Sequence, residues 1–176
     1  MIGSRRPGVP AEVLERAGLE RGEKVLAHGS SDDGTWLLGT RDALVVVEPA
    51  ETIRLPWEAV EAADWDADAG RLRVSEVGEY GVRRPVHTFN LDDPRRLLQL
   101  VRERVTASVL IQRRVDVHGK KGLVVIARRP PRGRGEITWA YELDAGVDPA
   151  DPAVKAAADV ALRAARLDVG LPPEPI

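Results

Sequence analysis

Val86-His87-Thr88-Phe89-Asn90-Leu91-Asp92-Asp93-Pro94-Arg95-Arg96-Leu97-Leu98-Gln99-Leu100-Val101 is where the pattern of the chain changes. Up to Leu91 the period is two, with Val86, Thr88 and Asn90 on one face and His87, Phe89 and Leu91 on the other, as in a strand with one side buried. Beyond Pro94 the period becomes helical. Leu97, Leu98, Val101 and Val105 share a face, and Arg95, Arg96, Arg102, Glu103 and Arg104 make up the charged remainder. Asp93 is placed to cap the free amides of the first turn, worth about 1 kcal/mol, and Pro94 suits the first helical position. A helix with one apolar stripe needs a surface to bury it, and the residues before it supply strands.

Toward the N-terminus six further strands are predicted. They are Lys24 to Gly29, Thr35 to Leu38, Ala43 to Val47, Thr52 to Leu55, Val60 to Trp65 and Leu72 to Val77; the strand at the switch runs from Val82 to Leu91. Ser30 to Gly34 and Asp66-Ala67-Asp68-Ala69-Gly70 are turn sequences that make hairpins of their neighbours, with Gly70 supplying a positive φ. Seven short strands in a row imply an antiparallel sheet folded into a barrel or sandwich. Before them, Pro10, Val13, Leu14, Ala17 and Gly18 spell a two-turn helix with a left-handed stop, expected to cover one end of the core.

Toward the C-terminus the period returns to two. Val109 to Val117, Leu123 to Ala127 and Ile137 to Leu143 are expected as three strands. Asp151-Pro152 repeats the helix start, and Val154, Ala158, Ala161, Leu162 and Ala165 form an alanine-rich stripe that lets a helix lie close on a sheet. The expected organisation is thus residues 10–108 followed by a three-stranded sheet plus helix over 109–170, packed together, with flexible ends at 1–9 and 171–176.

Composition narrows the chemistry. There are no cysteines among 176 residues, which excludes disulfides, thiolate metal sites and cysteine nucleophiles and fits a reducing, cytoplasmic setting. No secretory signal is read near Arg5 and Arg6, and the longest apolar runs, such as Ala43 to Val47, fall far short of the roughly 20 residues of a membrane-spanning helix. The net charge of −2 conceals segregation: Glu48 to Glu79 is acidic, Arg113 to Arg134 basic, and the tail from Glu136 acidic.

Gly22-Glu23-Lys24-Val25-Leu26, Gly39-Thr40-Arg41-Asp42-Ala43-Leu44, and Ile53 with Pro56-Trp57 and Val60 resemble bacterial pleckstrin-homology-like (PH-like) domains over residues 12–108. The resemblance implies an α+β fold, a seven-stranded antiparallel barrel capped by a C-terminal helix. No family is recognised for residues 109–170. Phosphoinositide binders of that superfamily use basic residues in the first hairpin loop. Here the loop is Ser30-Ser31-Asp32-Asp33-Gly34, which repels an anionic headgroup.

Catalytic sets are not assembled by the pattern. His28, His87 and His118 fall on separate elements, with no Gly-x-Ser-x-Gly elbow. Asp64, Asp66 and Asp68 alternate as in a calcium loop, but Gly70 comes one position late and Ser75 stands where a bidentate acid belongs. Gly119-Lys120-Lys121-Gly122 lacks the glycine and helix of a phosphate-binding loop. A hydrolase would need two of Asp64, Asp66, Asp68 and Glu76 in one apolar cleft.

What remains is the cluster Arg113, Arg114, Lys120, Lys121, Arg128, Arg129, Arg132 and Arg134, with Asp116 the only acid among them. It is a candidate surface for nucleic acid, anionic lipid or an acidic protein. The competing account is a solvated face balanced by the chain's own acids, with Trp139 and Tyr141 buried rather than free to stack on bases. The expected function is a non-catalytic interaction or scaffold module without a cofactor, binding a protein partner; the alternative is electrostatic binding through the basic segment. Neither the partner nor the oligomeric state is legible in the residues.

Overall fold

A computed structural model describes residues 8–92, 94–133 and 135–172. Among these, the elements are α1 (Ala11–Arg16), β1 (Ala27–Ser30), β2 (Trp36–Gly39), β3 (Ala43–Val47), β4 (Thr52–Pro56), β5 (Val60–Asp66), β6 (Arg71–Glu76), β7 (Val86–Asn90), α2 (Arg95–Ser108), β8 (Val109–His118), β9 (Lys121–Arg128), β10 (Thr138–Leu143) and α3 (Pro152–Asp168). The Asp93 cap, Arg134 and residues 1–7 and 173–176 of the ends lie outside the described residues.

The fold is α+β, with three antiparallel sheets ordered β1-β2-β3-β4, β5-β6-β7 and β10-β9-β8. The expected seven-stranded barrel is not closed. After β4, Pro56 has no N–H to donate, and Trp57–Ala59 wind into a 3-10 turn that drops Trp57 between the first two sheets, fully buried. Its indole N–H donates to the Thr40 carbonyl at 3.2 Å. Among the described residues no ladder joins β4 to β5 or β7 to β1. The strand expected from Val82 begins only at Val86, since Pro85 breaks the run of amides and residues 82–85 belong to the loop before it.

The two sheets face each other across Leu37, Leu44, Val46, Leu55, Leu72 and Phe89, and α2 closes the core with Leu97, Leu100 and Val101. Burying each leucine stabilises by about 2 kcal/mol. The buried stripe is rotated from the expected one: Leu98 and Val105 sit half-buried at its margin, and Leu100 takes their place. Two strand glycines explain the seat. A Cβ at Gly39 would lie 2.6 Å from Leu100 Cδ2, and one at Gly29 would lie 3.3 Å from Leu97 Cδ2. A side chain at Gly39 would push Leu100 out of its place, and one at Gly29 would press on Leu97, so bare backbone suits this close approach.

Every residue of β3 is buried, so the first sheet is apolar on both sides. The outer side is what α1 covers, not an end of the core. Val13 and Ala17 pack on Leu38, Val45 and Val47, and Arg16 donates to the Glu48 carbonyl while Thr52 Oγ1 donates to the Arg16 carbonyl at 3.2 Å. In the third sheet Leu123 and Val125 receive Val154, Ala158, Ala161 and Ala165 of α3, whose N-terminus is capped by Asp151 accepting from the Ala153 amide at 2.8 Å.

Candidate functional site

The basic segment does not form one surface. On β8, alternate residues face opposite sides, so Arg113 points with Ile111 and Val115 toward α3 and pairs with Asp168, while Arg114 emerges on the other side. Arg114 binds Asp144 at 2.6 Å and Asp116 at 3.0 Å, and these bonds, Asp144 first, raise its pKa. The Arg114 guanidinium, then the Gly122 amide, hold the Asp144 carboxyl below the usual carboxylate range. At the hairpin tip Lys121 donates to the Ala145 carbonyl at 3.0 Å, and Lys120 is exposed. Arg132 reaches from the β9–β10 loop to Asp42 of the first sheet at 2.6 Å. Arg129 is half-buried, and Arg134 lies outside the described residues.

Arg128 goes inward. It is 3% exposed, donating to Ser108 Oγ and to the Glu61 carbonyl at 3.0 Å each, and thereby ties β9 to the end of α2 and to β5. Burial pushes its pKa down, against the pull of Glu61 and Glu142. Beside it the Glu61 side chain is 2% exposed and pairs with Arg84, whose other amine donates to the Tyr141 carbonyl of β10. Burial raises the Glu61 carboxyl, Arg84 and Arg128 oppose that, and Glu142 adds to it. Among the described residues, Glu61 Oε1 and Arg128 Nε have no hydrogen-bond partner. This buried charge cluster joins the second sheet to the third.

The loop between β6 and β7 completes the junction. Tyr80 donates its hydroxyl to the Pro149 carbonyl at 3.1 Å and meets Tyr141 edge-on at 5.2 Å between ring centroids. Gly78 lets Arg84 cross over the loop, since a Cβ there would lie 2.7 Å from Arg84 Cγ. Of these residues only Tyr141 was singled out from the sequence, as a buried aromatic. The signal that could have found the others is the pair of glycines, Gly78 and Gly81, bracketing Tyr80 between two expected strands.

A groove of about 540 Å³ opens between β5 and α2, lined by Ala63, Trp65, Leu72, Leu98 and Val101, with Asp64 and Arg102 on its rims. β5 is an edge strand. Its first half is occupied, because the Glu61 carbonyl accepts from Arg128; from Ala63 onward, among the described residues, no further strand pairs with it. Arg102 is exposed and, among the described residues, has no ion pair.

The remaining sequence candidates are dispersed. His87 bonds Glu76 at 2.6 Å and His118 bonds Asp151 at 2.8 Å, each on its own hairpin end, while His28 lies against Trp36 with ring centroids 5.8 Å apart. Asp64 and Asp66 stand exposed on the outer face of the second sheet, opposite Arg73 and Arg71, and Asp66 accepts the Asp68 and Ala69 amides to shape the turn. Trp65 points the other way, against the core. Ser31, Asp32, Asp33, Asn90 and Asp92 line an acidic hollow of about 480 Å³ at the first hairpin loop, where Asp33 accepts from the Thr35 amide at 2.9 Å.

No known protein-family model matches the chain, and no curated protein aligns with it significantly. Among the described residues no helix is long and apolar enough to cross a membrane.

Proposed function

We propose that the chain is a non-catalytic interaction module that takes an extended segment of a protein partner as an added strand on β5, with side chains of the segment entering the groove against α2. The observation that carries this reading is the pairing of an unpartnered strand edge with an apolar groove directly beside it. Main-chain bonds to the edge supply affinity, and the Trp65–Leu98 floor selects apolar side chains at alternate positions of the guest. The PH-like assignment for residues 10–108 belongs to the same proposal. A four-stranded sheet, a three-stranded sheet and a helix across their open end, in that chain order, support it.

The electrostatic alternative has less in its favour. Arg113, Arg114 and Arg132 are each engaged by a carboxylate of the chain itself, and Arg128 is buried, so few free cations remain to neutralise phosphates. The acidic hollow at the first hairpin loop argues in the same direction against an anionic headgroup.

The test is a partner captured from native extract and then mapped by amide exchange and substitution. Binding protects the Ala63 and Trp65 amides, and Leu98→Glu, at the half-buried margin of α2, abolishes it. If Leu98→Glu binds the partner unchanged while charge reversal at Arg114 and Arg132 abolishes binding, the groove reading is wrong and the electrostatic one stands.

A further inference from the structure

The opposite end of the second sheet holds a separate hollow of about 700 Å³, lined by Arg73, Ser75, Val82, Arg83, Arg84 and Val86. No acid lines it. Arg84 is committed to Glu61, but the side chains of Arg73 and Arg83 are exposed and, among the described residues, make no ion pair or hydrogen bond. Val82 and Val86 flank them at 56% and 42% exposure, two of the few large apolar side chains left in solvent. Isolated exposed valines need no explanation, but two of them beside two unpaired guanidinium groups form a composite surface.

The loop that presents this surface is held on both sides. Tyr80 is bonded to Pro149, Arg84 to Glu61 and Tyr141, and Gly81 rests against Pro149, with Pro149 Cβ 3.4 Å from where a Cβ would stand. Val82 and Arg83 are therefore displayed from a loop fixed at its neighbours, so little ordering entropy is lost when a ligand meets them.

We infer that this hollow receives an acidic side chain of an extended protein segment, held between Arg73 and Arg83, with the apolar neighbours of that side chain resting on Val82 and Val86. Guanidinium groups match a carboxylate through paired N–H donors, and the Ser75 hydroxyl adds a donor at the floor. An anionic membrane surface shares the chemistry but not the shape of the surroundings. Asp64 and Asp66 lie on the same outer face, and Glu79 stands at the start of the same turn, so a broad negative plane is repelled where a single acid on a narrow chain is not. The hollow lies across the sheet from the β5 groove, and the inference holds whether or not that groove is used.

The experiment uses the full chain and an array of extended peptides, each with a central glutamate amid varied apolar neighbours and each paired with a glutamine twin. Glutamate peptides with flanking apolar residues are expected to bind better than their twins, and Arg83→Ala and Arg73→Ala each to weaken that binding about tenfold, more steeply at low salt. The preference for glutamate over glutamine persists in Leu98→Glu, whatever the groove contributes to peptide binding, which separates the hollow from the groove. Both arginines are exposed and unbonded, and thermal melts of the variants verify that folding is intact. The inference is overturned if no glutamate peptide exceeds its twin, if both arginine variants bind as the parent does, or if phosphatidylserine vesicles bind through Arg73 and Arg83 while the peptides do not.

Discussion

Glu23 and Glu61 bury their side chains to the same degree, 2% exposed each, and each faces an arginine at 32% and 34% exposure. Their pKa values move in opposite directions. At Glu23 burial raises the carboxyl, but bonds from both Arg54 amines, from Thr40 Oγ1 at 2.6 Å and from the Glu20 amide at 3.0 Å together outweigh it and hold it low. At Glu61, which lies deeper in the protein, burial prevails: among the described residues Arg84 is the one donor to its carboxylate, and Glu142 repels it. Exposure alone therefore says little about a buried charge. How deep the group lies beneath the surface and how many donors are aimed at it together decide whether the ionised or the neutral form is favoured.

The largest expected effect follows from that count. Arg84→Ala leaves Glu61 buried with no donor and releases the β6–β7 loop from β10, and should cost about 3 kcal/mol, the low end for a broken buried pair because Arg84 is partly solvated. Arg54→Ala leaves Glu23 its bonds from Thr40 and Glu20, and should cost about 1 kcal/mol. Chemical denaturation of the two variants measures both. Equal losses would break the contrast.

Acid titration sharpens it, since the two sites carry opposite signs. Glu23 has a folded pKa below its ordinary 4.5, so its contribution is complete above that value and is lost as pH falls through the folded pKa. Glu61 has a folded pKa above 4.5, so its contribution is complete below that value and is lost as pH rises through the folded pKa. Denaturant midpoints against pH, for the parent, Glu23→Gln and Glu61→Gln, are the measurement. Relative to Glu23→Gln the parent gains stability as pH climbs through the acid range to 4.5; relative to Glu61→Gln it loses stability as pH climbs beyond 4.5.

The same difference governs what the sequence could show. Apolar periodicity placed β3, α2 and α3 close to their observed limits, because a strand or helix with a buried stripe states its period locally. The burial of Arg128 is not local. In the sequence it belongs to a run of arginines, and only the meeting of β9 with Ser108 and the Glu61 carbonyl turns it inward. Gly39 is similar: its role as the seat of Leu100 depends on a helix some sixty residues later in the chain. The β5 groove needs the closure of two sheets by α2, and the Arg73–Arg83 hollow needs a loop pinned to a different sheet, so neither could be read from spacing.

The smallest expected effect concerns the tie from the basic segment to the first sheet, which stays in solvent. Arg132 and Asp42 meet at 2.6 Å with side chains 52% and 29% exposed, so water and salt compete for both partners. Arg132→Ala should change stability by less than about 1 kcal/mol, and the change should shrink further in high salt. The Asp42 carbonyl keeps its bond from the Trp57 amide at 3.2 Å, so the turn it occupies does not depend on the arginine. A loss as large as that of Arg84→Ala would mean that the bond from the β9–β10 loop to the first sheet carries the junction, and that burial is not what separates the strong ion pairs of this chain from the weak ones.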